Sequence, residues 1–258
     1  MTTTTNSHSE RDYLFAHPRR EIGAAIQIVL LGVGAAVTYG ILQDQVTAHV
    51  CVEYFTIGHI DFFNLGNPTL IAFEWGLIAT WWAGLLLGVP IALIARVGTR
   101  RPRLSARDLL RPTLLLQGCV GLVALVSGIT GYVAAKVGAV YLTQPLAAAV
   151  PQAKHAAFLA DLWAHDAAYA AGALGGVTLG LWAWRRRGVL QRTQRDRGHQ
   201  DNALVSPTRR ATIHADSVLD HDRQWWEIVI LRVLLIIGGL SLGLGVVFVL
   251  VISALSGL

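Results

Sequence analysis

The sequence predicts an all-α, multi-pass transmembrane helical bundle, with a four-helix core, a fifth C-terminal transmembrane helix and a cytoplasmic N-terminus. Three observations lead there. Of 258 residues, 53% are hydrophobic and only 14% charged, against about 25% charge in a soluble domain. Five windows are apolar over the roughly 20 residues needed to cross a bilayer. Every arginine falls on one side of the topology that those windows define.

The first window runs from about Ile22 to Leu42, interrupted by Gln27. It is longer than the apolar core of a signal peptide, and the Arg19-Arg20-Glu21 leader suits a retained cytoplasmic anchor, so residues 1–21 read as a cytoplasmic tail. The second spans about Trp75 to Ala95 and the third Pro112 to about Tyr132. The fourth ends at Trp184 and starts near His165, or earlier if the helix projects beyond the bilayer. These spans make up a membrane domain of residues 22–184 with an outer loop at 43–72. Their many glycines and alanines favour close helix packing. Residues 185–232 read as a basic, flexible cytoplasmic linker, followed by a C-terminal span within 233–258, from about Val233 to Ala254.

With the N-terminus inside, all 19 arginines are cytoplasmic, and the outer segments keep only Lys136 and Lys154. The net charge of +5 therefore reflects sidedness rather than a nucleic-acid partner. Runs such as Arg100-Arg101-Pro102-Arg103 and Arg185-Arg186-Arg187 are expected to meet anionic lipid headgroups. Cys119 lies well inside the third span and Cys51 in the outer loop, too far apart for a disulfide.

The outer side is the reverse: six carboxylates (Asp44, Glu53, Asp61, Glu74, Asp161 and Asp166) accompany His49, His59, His155, His165 and Cys51. Three components share that level. In the loop, Val46, Ala48, Val50 and Val52 alternate with Thr47, His49, Cys51 and Glu53. An extended strand would put His49, Cys51 and Glu53 on one face, while a helix would still make His49 and Glu53 neighbours. Gly58 permits a turn that brings His59 towards Glu53. On the fourth span, Lys154, Phe158, Asp161, His165 and Tyr169 share a helical face that Gly172 and Gly176 continue. Glu74, with Trp75, opens the second span at the same height.

Carboxylates and imidazoles in this arrangement suit a divalent transition metal of the zinc kind. The expected ligands are Glu53, His59, Asp161 and His165, with Glu74, Cys51 and His49 as additional candidates. Asp161 has a second reading, in which it orients His165 for ligation or general-base work.

The run Asp44-Gln45-Val46-Thr47-Ala48-His49-Val50-Cys51-Val52-Glu53-Tyr54-Phe55-Thr56-Ile57-Gly58-His59 resembles the C-x-E-Y-F-T-I-G-H motif of an uncharacterised family of bacterial multi-pass inner-membrane proteins. The resemblance extends over the first four spans, through Trp163-Ala164-His165 and Tyr169. It implies a bacterial inner membrane and supplies no mechanism. Two functional readings follow. One is an outward-facing metal site, serving an enzyme that activates water or a sensor or carrier. The other is a non-catalytic subunit or assembly factor, with a membrane-protein partner or a second copy on its small-residue faces. Transport is less favoured, because spans one, three and five carry no ionisable residue in their interiors.

Overall fold

The computed structural model describes residues 18–60, 62–98 and 101–203. These form α1 (Pro18–Val50), α2 (Glu53–Thr56), α3 (Pro68–Ile78), α4 (Trp81–Arg96), α5 (Ala106–Lys136), α6 (Leu146–Ala149), a 3-10 turn (Gln152–Lys154) and α7 (His155–Ala203). Among the described residues there is no strand. Three stretches, Arg19–Val50, Pro68–Arg96 and Ala106–Lys136, are long and apolar enough to cross a membrane. The expected fifth span lies outside the described residues.

Capping chemistry moves the ends of these helices outward from the apolar windows. Asn67 accepts hydrogen bonds from the Thr69 and Leu70 amides, and Pro68 occupies the first turn, where its missing N–H costs nothing. The second apolar helix therefore begins at Pro68, and Glu74 sits nearly two turns inside it instead of opening it. A break at Ala79–Thr80 divides that helix into α3 and α4, with the Thr80 hydroxyl donating to the Gly76 carbonyl at 2.5 Å. Ser105 and Asp108 form a reciprocal capping box, which starts α5 two turns before Pro112.

Two expected boundaries change. α1 continues to Val50, so the loop between the apolar helices is residues 51–67 rather than 43–72. The alternating stretch is thus helix from Val46 to Val50, because nothing between Ile41 and Val50 breaks the backbone ladder and α3 packs alongside. The expected linker is helical over its first part, since α7 runs unbroken through the arginines to Ala203.

α1, α4, α7 and α5 pack in that cyclic order. Backbones nearly touch between α1 and the α3–α4 pair. A Cβ on Gly84 would lie 2.7 Å from the Gly32 carbonyl oxygen and from Val33 Cα, and one on Gly76 would lie 2.5 Å from Ile41 Cα. At the α5–α7 seam, Ala160 and Ala164 lie against Gly128, and the Ser127 hydroxyl donates to the Trp163 carbonyl at 3.0 Å. Gln117 donates from Nε2 to the Ala35 carbonyl and joins α5 to α1. The α4–α7 seam includes Leu87 over Gly176 and Ile94 over Gly180.

One end of the bundle is basic. Glu21 pairs with Arg96 and with Arg103, the latter at 2.9 Å. Arg187 is only 4% exposed. Its guanidinium donates to the carbonyls of Ile94, Val97 (2.9 Å), Arg101 (3.3 Å) and Pro102 (2.8 Å). It thereby satisfies carbonyls at the C-terminal end of α4 that the helix leaves free. Arg101 stacks over Trp184 at 5.0 Å. Within each of the two arginine runs, one guanidinium is thus engaged with the protein itself.

Candidate functional site

The opposite end holds the acids and histidines. Because α1 stays helical past Leu42, Asp44, Thr47 and Cys51 fall on one face at i, i+3 and i+7. All three are buried: Asp44 is 3% exposed, Thr47 1% and Cys51 0%. Facing them on α7 are Asp161 and His165, 5% and 8% exposed. His165 Nε2 lies 3.0 Å from the Thr47 hydroxyl and 3.6 Å from Asp44 Oδ1. The Tyr54 ring stacks on the His165 imidazole at 4.7 Å and contacts His59 at 4.9 Å. His59 donates from Nδ1 to the Tyr54 carbonyl at 2.8 Å, and its ring lies 4.7 Å from Trp75.

Each residue nominated from sequence has a definite place. His165 and Asp161 belong to the buried cluster, with Asp161 Oδ2 buried and lacking a hydrogen-bond partner among the described residues. His59 joins it through the aromatic stack. Glu53 lies beside Cys51: its carboxylate accepts from the Cys51 thiol at 3.4 Å and lies 4.0 Å from Lys154 Nζ. His49 is exposed on α1, with Nδ1 2.7 Å from the Gln45 carbonyl. Among the described residues, no three or more His, Cys, Asp or Glu side chains gather closely enough to hold a metal ion. The geometry explains why: Tyr54 lies against both imidazoles, and Lys154 attends Glu53.

The sequence reading did not nominate Asp44, Thr47 or Tyr54. For Asp44 and Thr47 the signal was the i, i+3, i+7 spacing with Cys51 at the end of an extended first helix. That spacing competed with an equally visible period-two pattern.

Burial controls ionisation here. The Cys51 thiol is pushed up to about 12, first by burial and then by its bond to Glu53, so it stays protonated and a poor nucleophile. Asp161, one turn outside the expected fourth span, rises from 3.8 to about 8, chiefly through burial and secondarily through the nearby Asp44 carboxyl. A carboxyl whose folded value is raised favours the folded state only while protonated. Between pH 3.8 and about 8 the unfolded chain releases that proton and the folded chain retains it, so stability falls as pH rises. Asp161→Asn removes this penalty. Its melting temperature in detergent is expected to exceed the parent's by a margin that widens from pH 4 to 8, and a constant margin would refute the assignment.

Below the cluster lies a cavity of about 690 Å³ at the centre of the bundle. Asp44, Tyr54, His59, Trp75, His165 and Tyr169 line one end, and Ile28, Leu109 and Leu179 line the other. From Asp44 to Ile28 along α1 is about 24 Å at 1.5 Å per residue. The polar side chains on the intervening wall are occupied with the protein: Thr113 donates to the Leu109 carbonyl at 2.8 Å, Thr80 to Gly76, and Gln117 to Ala35. Their polar atoms thus make few demands on an occupant, and the wall is mainly apolar. The whole is a greasy slot that ends in one carboxyl, two imidazoles and phenols. Such a site can hydrogen-bond a polar head and exchange a proton with it.

Comparison of the chain with protein-family models, with curated proteins and with solved structures found no match.

Proposed function

We propose that this protein binds an amphiphile with its apolar chain in the central cavity and its hydrogen-bonding head at the Asp44–His165 cluster. The observation behind this reading is the cavity's division into an acid–imidazole end and a long apolar remainder. Its volume lies within the usual 300–1,000 Å³ range of small-molecule sites, which suits one chain better than two. In the same reading the protein is a multi-pass bacterial inner-membrane protein. α7 supplies a fourth span over about His165–Trp184, and the basic end is cytoplasmic.

The binding test uses Gly172. It lines the cavity, yet a Cβ there would meet nothing within 4 Å, so a large side chain has room without disturbing the backbone. Native mass spectrometry of the detergent-purified parent is expected to show a co-purifying amphiphile. Gly172→Phe should fold normally and lose it. Asp44→Asn and His165→Ala should each weaken retention about tenfold, the worth of roughly one hydrogen bond to a buried polar group. An empty parent, or equal occupancy in Gly172→Phe, refutes the reading.

Sidedness has its own measurement. Cysteines introduced at Gly66 and Ala148 should react with an impermeant maleimide from outside the cell, and one at Gln194 only after permeabilisation. Labelling at position 194 in intact cells would reverse the orientation.

A further inference from the structure

The cavity is not sealed, and the exposure of its walls shows where it opens. The lining residues from α1 and α5 are all buried or half-buried. Exposed lining residues come instead from the facing edges of α4 and α7: Trp82 and Leu86 (49% and 65% exposed) on one side, Tyr169 (50%) and Ala173 on the other. His59, also exposed, stands at the polar end of the same edge.

Two of the other seams are tightly closed, and the third is tied by a hydrogen bond. α1 meets α3 and α4 backbone to backbone at Gly76 and Gly84, α5 is bonded to α1 through Gln117, and α5 meets α7 at Gly128 and Ser127. On the α4–α7 seam, the contacts of Leu87 with Gly176 and Ile94 with Gly180 lie towards the basic end. Trp82 and Tyr169 lie above them in the half nearer the acids, with Leu86 and Ala173 close to mid-height. The break at Ala79–Thr80 immediately precedes α4, whose first turn carries Trp82.

We infer that the occupant enters sideways from the bilayer, through a portal between α4 and α7 in the leaflet at the acidic end. The ligand class is therefore a lipid of that leaflet, whose chain slides between Leu86 and Ala173 while its head remains level with His59 and His165. This inference rests on the amphiphile-binding reading. A water-soluble ligand has no use for an opening into hydrocarbon, whereas a lipid that keeps its head at the interface never has to carry it across the bilayer core.

The test closes the portal reversibly. Leu86→Cys and Ala173→Cys are combined with Cys119→Ala, while the fully buried Cys51 is left in place. The pair is bridged with a bis-maleimide carrying a reducible disulfide, which also provides the release. Stripped protein is mixed with vesicles of isotopically labelled phosphatidylethanolamine and phosphatidylglycerol, and label uptake is followed by native mass spectrometry. Bridging is expected to slow uptake about tenfold or more, as closing a gate does, and reduction should restore the parent rate. Leu86→Trp with Ala173→Trp, which narrows the gap without a cross-link, should slow uptake in the same direction. If bridged and reduced protein load equally fast, the portal is wrong. The amphiphile reading then still stands, provided Gly172→Phe excludes the label. If the parent takes up no labelled lipid, a bilayer lipid is not the ligand and the portal falls. Should the parent also purify empty, the amphiphile reading falls too.

Discussion

Arg187→Ala is expected to lower the melting temperature by about 6 °C or more. The substitution strips four backbone carbonyls of their donor, those of Ile94, Val97, Arg101 and Pro102. A buried polar group left unpaired costs roughly 1–3 kcal/mol. Water reaching the opened end recovers part of that, so a net loss on the order of 3 kcal/mol is reasonable, and each kcal/mol moves a domain of this size by about 2–4 °C. Arg187→Lys should recover only part of the loss, since an ammonium cannot reach carbonyls that a planar fork spans. Limited proteolysis at Arg101 and Arg103 should accelerate in parallel. A melting temperature within about a degree of the parent's would mean that the loop holds itself.

Gly84→Leu is expected to abolish monodisperse, folded protein. The atoms that a new Cβ would meet are the Gly32 carbonyl oxygen, Val33 Cα and Ala36 Cβ, all within 2.9 Å, and none is the end of a flexible side chain. Even Gly84→Ala must part α1 from α4, at a cost of about 1–3 kcal/mol. Gly172→Ala is the matching control on open ground, where the better helix propensity of alanine should leave stability unchanged or slightly raised. Size-exclusion profiles and melting curves of the three variants separate a packing effect from a general intolerance of glycine replacement.

The all-helical character and the three strongly apolar helices were legible from composition and window length, because hydrocarbon imposes one requirement on every crossing residue. Helix ends were not. They depend on single side chains such as Asn67 and Ser105, whose capping bonds extend a helix into sequence that is not apolar. The Asp161–His165 face was readable as an i, i+4 pair on a helix, and both residues are buried on α7. Their partners were harder to see. Asp44 and Thr47 sit in a β-branched, alternating stretch whose helical fate is decided by packing against α3. Glu53, adjacent in sequence to the cluster, is engaged by the Cys51 thiol and by Lys154, partners that its sequence position does not reveal. Arg187 was obscured by its neighbours, since Arg185-Arg186-Arg187 shows no sign of which guanidinium points inward.

The seams of this bundle differ in stiffness. Along α1 and α4, main chain lies on main chain, and separating them by even a fraction of an ångström forfeits contacts over two turns. Along α4 and α7, Leu87 and Ile94 reach across to glycine, so rotamer changes can absorb strain. A bilayer that is stretched or loosely packed would therefore widen the second seam well before the first. Such a molecule would respond to lateral pressure in the surrounding lipid, with one hard wall serving as the fixed frame for one compliant wall.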